Sequence, residues 1–272
     1  MTKTKYQKVP CRLERNLAWL RPFRSFPLVR LGSNHDGGYV IPAQTLDYID
    51  GVLSFGIDRN WSFESDLRSI RPRLPLHAYD HTIHERFFYR ELRKHWIRFF
   101  VFKCSWAELL QAKKTLADFR QAFSGNAVHY RQRITNRPES VSDVDFSLAL
   151  QRLSGCRNLS VKIDIEGDEF RILPQILAHA NFISVLVVEF HETGVLRETF
   201  RYWVQRIQKK FYLAHLHANN GGGLFKDNLP EFLEMTFVRG QPPSQRRNLH
   251  LPVRGIDYPN VASRPDYAVS WI

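Results

Sequence analysis

The stretch Gly51-Val-Leu-Ser-Phe-Gly-Ile57, with Asp58-Arg-Asn-Trp-Ser-Phe-Glu64 behind it and Leu76-His-Ala-Tyr-Asp80 beyond, sets the reading of the chain. A short apolar run, a glycine, a helical segment over 61–70 and a second short apolar run make one β-α-β unit. The alternation continues outward. Helices are expected over 84–96, 106–123, 169–179 and 195–210, and one capped by Ser142-Asp143 runs to Leu153. Strands are expected over 97–103, 159–165, 185–190, 211–217 and 235–238. The β-branched runs from Leu159 and Val185 read as buried strands. Strands separated by helices imply parallel pairing, because a parallel crossover needs about a dozen residues or more. The fold class is therefore α/β, an open, mostly parallel sheet with helices on both faces. Ligands of such sheets sit beyond the carboxyl ends of the strands. Candidate site residues are those that follow each apolar run.

Composition bounds the class. The chain has 272 residues, 43% apolar and 24% charged, which excludes disordered, collagen-like and long coiled-coil chains. Such a length buries roughly three quarters of its unfolded surface and needs no covalent staples. Cys11, Cys104 and Cys156 are widely spaced and form no CxxC pair, against a zinc ribbon or a disulfide framework. Lys and Arg number 39 against 27 acidic residues, a net charge of +12. That field attracts nucleic acid, anionic membrane or acidic glycans, or belongs to a solvated basic surface. No apolar run approaches the ~20 residues of a membrane span, and the polar segment Met1 to Lys8 leads into no apolar region of a secretory signal. The expectation is a cytoplasmic protein without stable membrane insertion. It forms one domain: a basic N-terminal arm (1–30), a core (30–240) and an irregular Pro- and Arg-rich end (240–272).

Four polar clusters stand at strand ends. Gly56 allows a tight turn and close approach of a ligand to the backbone, and Ser62 and Glu64 stand where a helix start could be capped. Asp80, after the second run, stands roughly twenty residues on, where a nucleotide fold places an acid on ribose hydroxyls. In Lys162-Ile-Asp-Ile-Glu-Gly-Asp-Glu169, Asp164 and Glu166 share one face of a strand, and their proximity raises one pKa, as suits a general base. Oxygen ligation of a divalent cation is the alternative. An acidic helix start explains Asp168 and Glu169 but not Asp164 within an apolar run. His191 and His217 each end an apolar run, and parallel pairing would gather them with Asp164, Asn219 and Asn220. His215 reads as a satisfied core histidine. Asn34-His-Asp-Gly-Gly-Tyr-Val40 reads as a hairpin turn.

Taken together, Asp36-Gly-Gly-Tyr-Val40, Gly56-Ile-Asp58 with Ser62-Phe-Glu64, Tyr79-Asp-His-Thr82, Lys162-Ile-Asp-Ile-Glu-Gly167, Glu189-Phe-His191 and His215-Leu-His-Ala-Asn-Asn220 resemble the FkbM-like and methyltransferase-like-24-type S-adenosylmethionine-dependent methyltransferases. The resemblance covers residues 30 to about 240. It implies a Rossmann-like methyltransferase sheet of seven strands, the last antiparallel, with S-adenosyl-L-methionine as cofactor. The cofactor-binding set it implies is Gly56, Ile57, Asp58, Ser62, Phe63, Glu64, Asp80, His81 and Asp164, with Gly56 and Asp58 at the methionine end, Asp80 at the ribose and Asp164 beside the methyl donor. The implied activity is O-methylation of a sugar, glycan or small-metabolite hydroxyl. Asp164 or His217 is the expected base, with His191 and Glu166 as neighbours and no metal in the site. Residues 96–137 match no motif and are expected to form an insertion or cap that selects the acceptor.

The alternatives are a nucleic-acid methyltransferase and a non-catalytic protein of the same fold. Against the first, an Asn-Pro-Pro-Tyr type of signature is absent and the basic residues are dispersed. Against the second, an unused buried carboxylate is costly. Against a dinucleotide-dependent dehydrogenase, the turn at Gly56 lacks the second and third glycines of that fingerprint. An acidic glycan acceptor would draw on Arg21, Arg24, Arg30, Arg246 and Arg247.

Overall fold

The computed structural model describes residues 8–23, 27–242 and 251–272. Arg24, Arg246 and Arg247 lie outside the described residues. Seven strands form the central sheet: β1 (Gly51–Phe55), β2 (Leu76–Tyr79), β3 (Ala127–Tyr130), β4 (Leu159–Ile163), β5 (Ile183–Phe190), β6 (Phe211–Leu224) and β7 (Pro230–Arg239). Their order across the sheet is β3-β2-β1-β4-β5-β7-β6. Strands β1 to β5 pair in parallel. Strand β7 runs antiparallel to both β5 and β6. This is the mostly parallel sheet of seven strands, with an antiparallel last member and helices on both faces, that the resemblance implies. The order reverses between β1 and β4, and the crevice at such a switch point is where this class of sheet takes ligands.

Period-two burial builds two cores. Leu53, Phe55, Val161, Ile163, Leu186 and Val188 face one core, while Val52, Val185 and Val187 face the other. The first face is covered by α4 (Phe146–Gln151), α5 (Glu169–Ala178) and α6 (Arg197–Ile207), the second by α1 (Ser62–Ile70), α2 (Glu85–Phe100) and α3 (Trp106–Ala122). The hairpin turn expected at 34–40 is present, joining Leu28–Leu31 to Tyr39–Pro42 in antiparallel pairing. Asp145, not Ser142 or Asp143, caps α4, its carboxylate accepting from the Leu148 amide at 2.7 Å.

Three expectations are corrected. Residues 97–103 are not a strand: α2 continues through Phe100 and a turn follows. Their apolar side chains are largely exposed, so no burial holds them on a sheet. The strand of that region is β3, inside the segment expected as a cap. Its short half-polar Ala-Val-His-Tyr sequence lacks an apolar run. The chain ends also differ from the expected arm and irregular tail. Lys8–Leu13 pairs in parallel with Asp266–Trp271, and Cys11, Leu13, Leu17 and Leu20 are buried in the first core. A pairing across almost the whole chain leaves no local signature.

Candidate active site

At the switch point lies a cleft of about 600 Å³, within the range of small-molecule sites. Its floor is fixed by Gly56. The residue has φ +78, and a Cβ there would stand 1.6 Å from the Asp164 carbonyl oxygen. Only glycine lets the turn after β1 lie against the end of β4. Asp80 clamps this turn. Its Oδ2 accepts from the Ile57 and Asp58 amides at 3.0 and 2.8 Å, and its Oδ1 from the Thr82 amide and hydroxyl at 2.7 and 2.5 Å. Burial pushes the Asp80 pKa up, but the Thr82 hydroxyl and these amides outweigh it and hold the group below the ordinary value. Asp58 and Glu166, both lining the cleft, adopt φ of 39 and 56. Such left-handed backbone at non-glycine positions is a feature of ligand sites.

Asp164 emerges from β4 into the cleft. The Tyr39 hydroxyl donates to its Oδ2 at 2.6 Å and lies 3.3 Å from Glu189 Oε2. Asn219 donates to the other Glu189 oxygen at 2.6 Å. Burial, then the charges of Asp164 and Glu234, push the Glu189 pKa well above the ordinary range. Lys162 is the cation at the centre. Only 2% of its side chain is exposed, and its Nζ donates to the Gly56 carbonyl at 2.5 Å and stands 3.8 Å from Asp164 and 4.0 Å from Glu64. The same ammonium stands 5.0 Å from the Tyr39 ring centroid. A buried lysine without carboxylates would be neutral or destabilising. Here it fastens β4 to the turn after β1.

On the far side, Glu169 accepts from the Ile165 and Gly167 amides at 3.3 and 3.0 Å and contacts His191 Nδ1 at 2.9 Å. Burial lowers the His191 pKa, but the hydrogen bond and charge of Glu169 reverse this and raise it. Asp164, Glu166 and His191 each offer one ligand atom within 4.8 Å of the others, a spacing that could hold a metal ion. The cleft as a whole is acidic. Asp36, Asp58, Asp80, Asp164, Glu166, Asp168 and Glu189 line it, against Arg133 and Lys162.

Of the residues singled out by sequence, Gly56, Ile57, Asp58, Asp80, His81, Asp164, Glu166 and His191 line this cleft. Ser62, Phe63, Glu64 and His217 do not. Ser62 accepts from the Ser33 amide at 2.9 Å, and Phe63 packs edge-on to Tyr39 with ring centroids 5.5 Å apart. Glu64 is fully buried and accepts from Ser54 beneath the turn. His217, expected as a base, is 1% exposed, 3.2 Å from both Glu234 and Asp266. Burial would lower its pKa, but the hydrogen bonds to Asp266 and Glu234 raise it well above the ordinary value. It is a buried imidazolium that ties the C-terminal strand to the sheet. His215 is a satisfied core histidine as read, with Nε2 2.9 Å from Asp257. Arg30 and Arg21 are structural too: Arg30 donates to the carbonyls of Ser33 and His35 at 2.8 Å each, and Arg21 stands over the Trp271 ring. Asn219, gathered with Asp164 by the sequence, does line the cleft, whereas Tyr39 and Lys162 were missed as site residues. A lysine inside the apolar run Val161 to Ile163 was the available signal, since a buried charge requires partners.

No protein-family model matches the sequence, and no curated protein matches it. Among solved structures, the chain is similar to one in a fibrillarin/Nop5p complex, at 12% identity and TM-score 0.36, covering 70% of this chain and 73% of that one. A structure described as a putative methyltransferase from Thermoplasma acidophilum matches at 11% identity and TM-score 0.33, over 70% and 68%. The W203A mutant of a 16S rRNA (adenine(1408)-N(1))-methyltransferase from Catenulisporales acidiphilia matches at 10% identity and TM-score 0.34, over 79% and 100%.

Proposed function

We propose that the protein is an S-adenosylmethionine-dependent methyltransferase acting on the hydroxyl of a sugar, glycan or small metabolite, of the FkbM-like type. The observation that carries this reading is a cleft lined by seven acidic side chains against Arg133, Lys162 and His191, at the switch point of a chain whose net charge is +12. A basic protein with an acidic cleft at this place suits a ligand that is itself cationic. When bound, S-adenosylmethionine would supply a positively charged sulfonium and an electrophilic methyl carbon. Gly56, Ile57 and Asp58 would form the wall against which its methionine end lies, and Asp80 with His81 the wall at its ribose. All four Asp80 hydrogen bonds are intramolecular, so a ribose hydroxyl would replace the Thr82 hydroxyl as donor. Glu189 and Asn219 add polar groups to the same hollow.

Asp164 is the base of this proposal. It combines access to the cleft with a fixed orientation, because Tyr39 holds one oxygen and leaves the other to take the acceptor's proton; the acceptor oxygen would take the methyl carbon of the bound sulfonium, which leaves as the neutral thioether. Most of the rate gain in such a displacement is positioning, which the Lys162 and Tyr39 contacts supply. His191, with its raised pKa, serves as a hydrogen-bond donor toward the acceptor and not as the base. An anionic acceptor would be repelled by the lining, so a neutral hydroxyl compound suits it better. Calorimetric titration with S-adenosylhomocysteine tests the reading, followed by a methyl-incorporation screen over glycans and metabolites. Absence of cofactor binding would sink it. Methyl transfer confined to RNA would replace the acceptor class.

A further inference from the structure

Helices α2 and α3 form an antiparallel hairpin with two different halves. At the base, Phe88 and Phe119 are about 5% exposed and pack on Trp61 with ring centroids 5.4 and 5.2 Å away. Glu85 and Arg120 pair there at 2.6 Å. The distal half buries little. Trp96, Ile97, Phe100, Val101, Phe102 and Trp106 are 41%, 55%, 72%, 53%, 97% and 54% exposed. Rings there lie against one another: Trp96 stacks on Phe100 at 5.8 Å, and Phe99 meets Trp106 at 5.4 Å. Phe102, at the turn, has φ 56, a left-handed conformation that is unusual for a bulky residue. A capping box between Ser105 and Glu108 fixes the start of α3 just behind it.

The charge around this tip is mostly positive, although Glu91 pairs with Lys94 at 2.7 Å and Glu108 caps α3 at its edge. Residues 92–107 contain no Asp or Glu, and Arg93, Lys94, Arg98 and Lys103 are all exposed. We propose that the hairpin tip is a docking knob for an anionic lipid bilayer, with the apolar tip entering the interface and the basic residues meeting the headgroups. Three features favour this occupant. Trp and Phe with a flanking Lys/Arg set are the composition of interfacial anchors. The excess of cations complements anionic headgroups. Ile97 and Val101 lack a π-face, so they add nothing to base stacking on a nucleic acid but partition well into acyl chains. The tip is also the convex end of a hairpin, and a fluid apolar medium accepts that shape without a matching pocket. Among the described residues no helix is long and apolar enough to cross a membrane, so attachment is peripheral. This inference does not rest on methyl transfer.

Co-sedimentation of the full chain with vesicles of phosphatidylcholine, alone or mixed with phosphatidylserine, tests it. Wild type should bind the mixed vesicles, less so as salt rises, with a blue shift of tryptophan emission. Phe100→Ser/Phe102→Ser should bind at least about ten-fold more weakly at unchanged Tm, because both rings are exposed. Arg98→Ala/Lys103→Ala should lose the preference for phosphatidylserine. The proposal is overturned if wild type ignores mixed vesicles, or if the Phe variant binds them as wild type does. It is equally overturned if vesicle binding is absent while the Phe variant abolishes RNA binding or breaks a homodimer.

Discussion

Two polar runs at the ends of strands of the same sheet meet opposite fates. The run from Lys162 to Glu169 opens the cleft. The run from His215 to Asn220 on β6 closes the fold. On the first, Asp164 keeps an accessible carboxylate, while Lys162 and Glu169 are consumed in holding the loop. On the second, His215 takes Asp257, His217 takes Glu234 and Asp266, and Asn220 donates to the carbonyls of Val261, Arg264 and Pro265 at 3.1 to 3.2 Å. Only Asn219 of that run turns to the cleft, through Glu189. The difference lies in the neighbours. β4 is a central strand at the switch point, so its carboxyl end faces ligand space. β6 is an edge strand of the sheet, and the C-terminal segment packs against its side chains. Polar side chains at a strand end therefore mark a site or a clasp according to where the strand lies.

The largest expected effect separates the two runs. His217→Leu removes one partner of a buried charge network and should cost about 3–5 kcal/mol of stability, measured by urea unfolding. S-adenosylhomocysteine affinity of the folded fraction should stay near wild type. A large loss of affinity in that variant at full foldedness would put His217 back in the cleft. Asp164→Asn should do the reverse. Methyl incorporation should fall about 10²-fold or more with a Tm close to wild type. Turnover at the wild-type rate would remove Asp164 as base.

Asp80→Asn is a smaller perturbation of the cleft. It keeps the shape but weakens the acceptance of two amides by Oδ2, so cofactor affinity should drop about ten-fold by calorimetry. Unchanged affinity would show that the Gly56 turn holds without the clamp.

The pH dependence sharpens the clasp further. His217 has a raised folded pKa, so its stabilising contribution is complete below its unfolded value of 6.5 and is lost as pH rises through the raised value. The Tm difference between wild type and His217→Gln should therefore shrink at alkaline pH. Asp257 runs the other way. Burial opposes its charge, but His215 pulls its pKa from 3.8 down to about 2. Its contribution is present above 3.8 and disappears as pH falls through about 2. A Tm difference for Asp257→Asn that persisted at the acid end would break this assignment.

Local pattern in the chain was sufficient for the α/β alternation, the Gly56 turn, the hairpin at 34–40 and the acid that follows β2. Each rests on residues close in sequence: a β-branched run, a glycine before a helix, an aspartate at the end of an apolar stretch. The same pattern drew attention to Asp164, a carboxylate in an apolar run, which the structure sets one residue past β4 in the cleft. It could not separate His191 from His217, since both end apolar runs. What decided between them was tertiary: His191 meets Glu166 and Glu169 at the rim, and His217 meets an aspartate 49 residues away. Strand β3, the pairing of Lys8–Leu13 with Asp266–Trp271, and the acidity of a cleft inside a basic chain were likewise decided only by assembly. Periodicity reports which face of an element is apolar. Which partner covers that face, and which charges it meets there, depends on segments far apart in the chain.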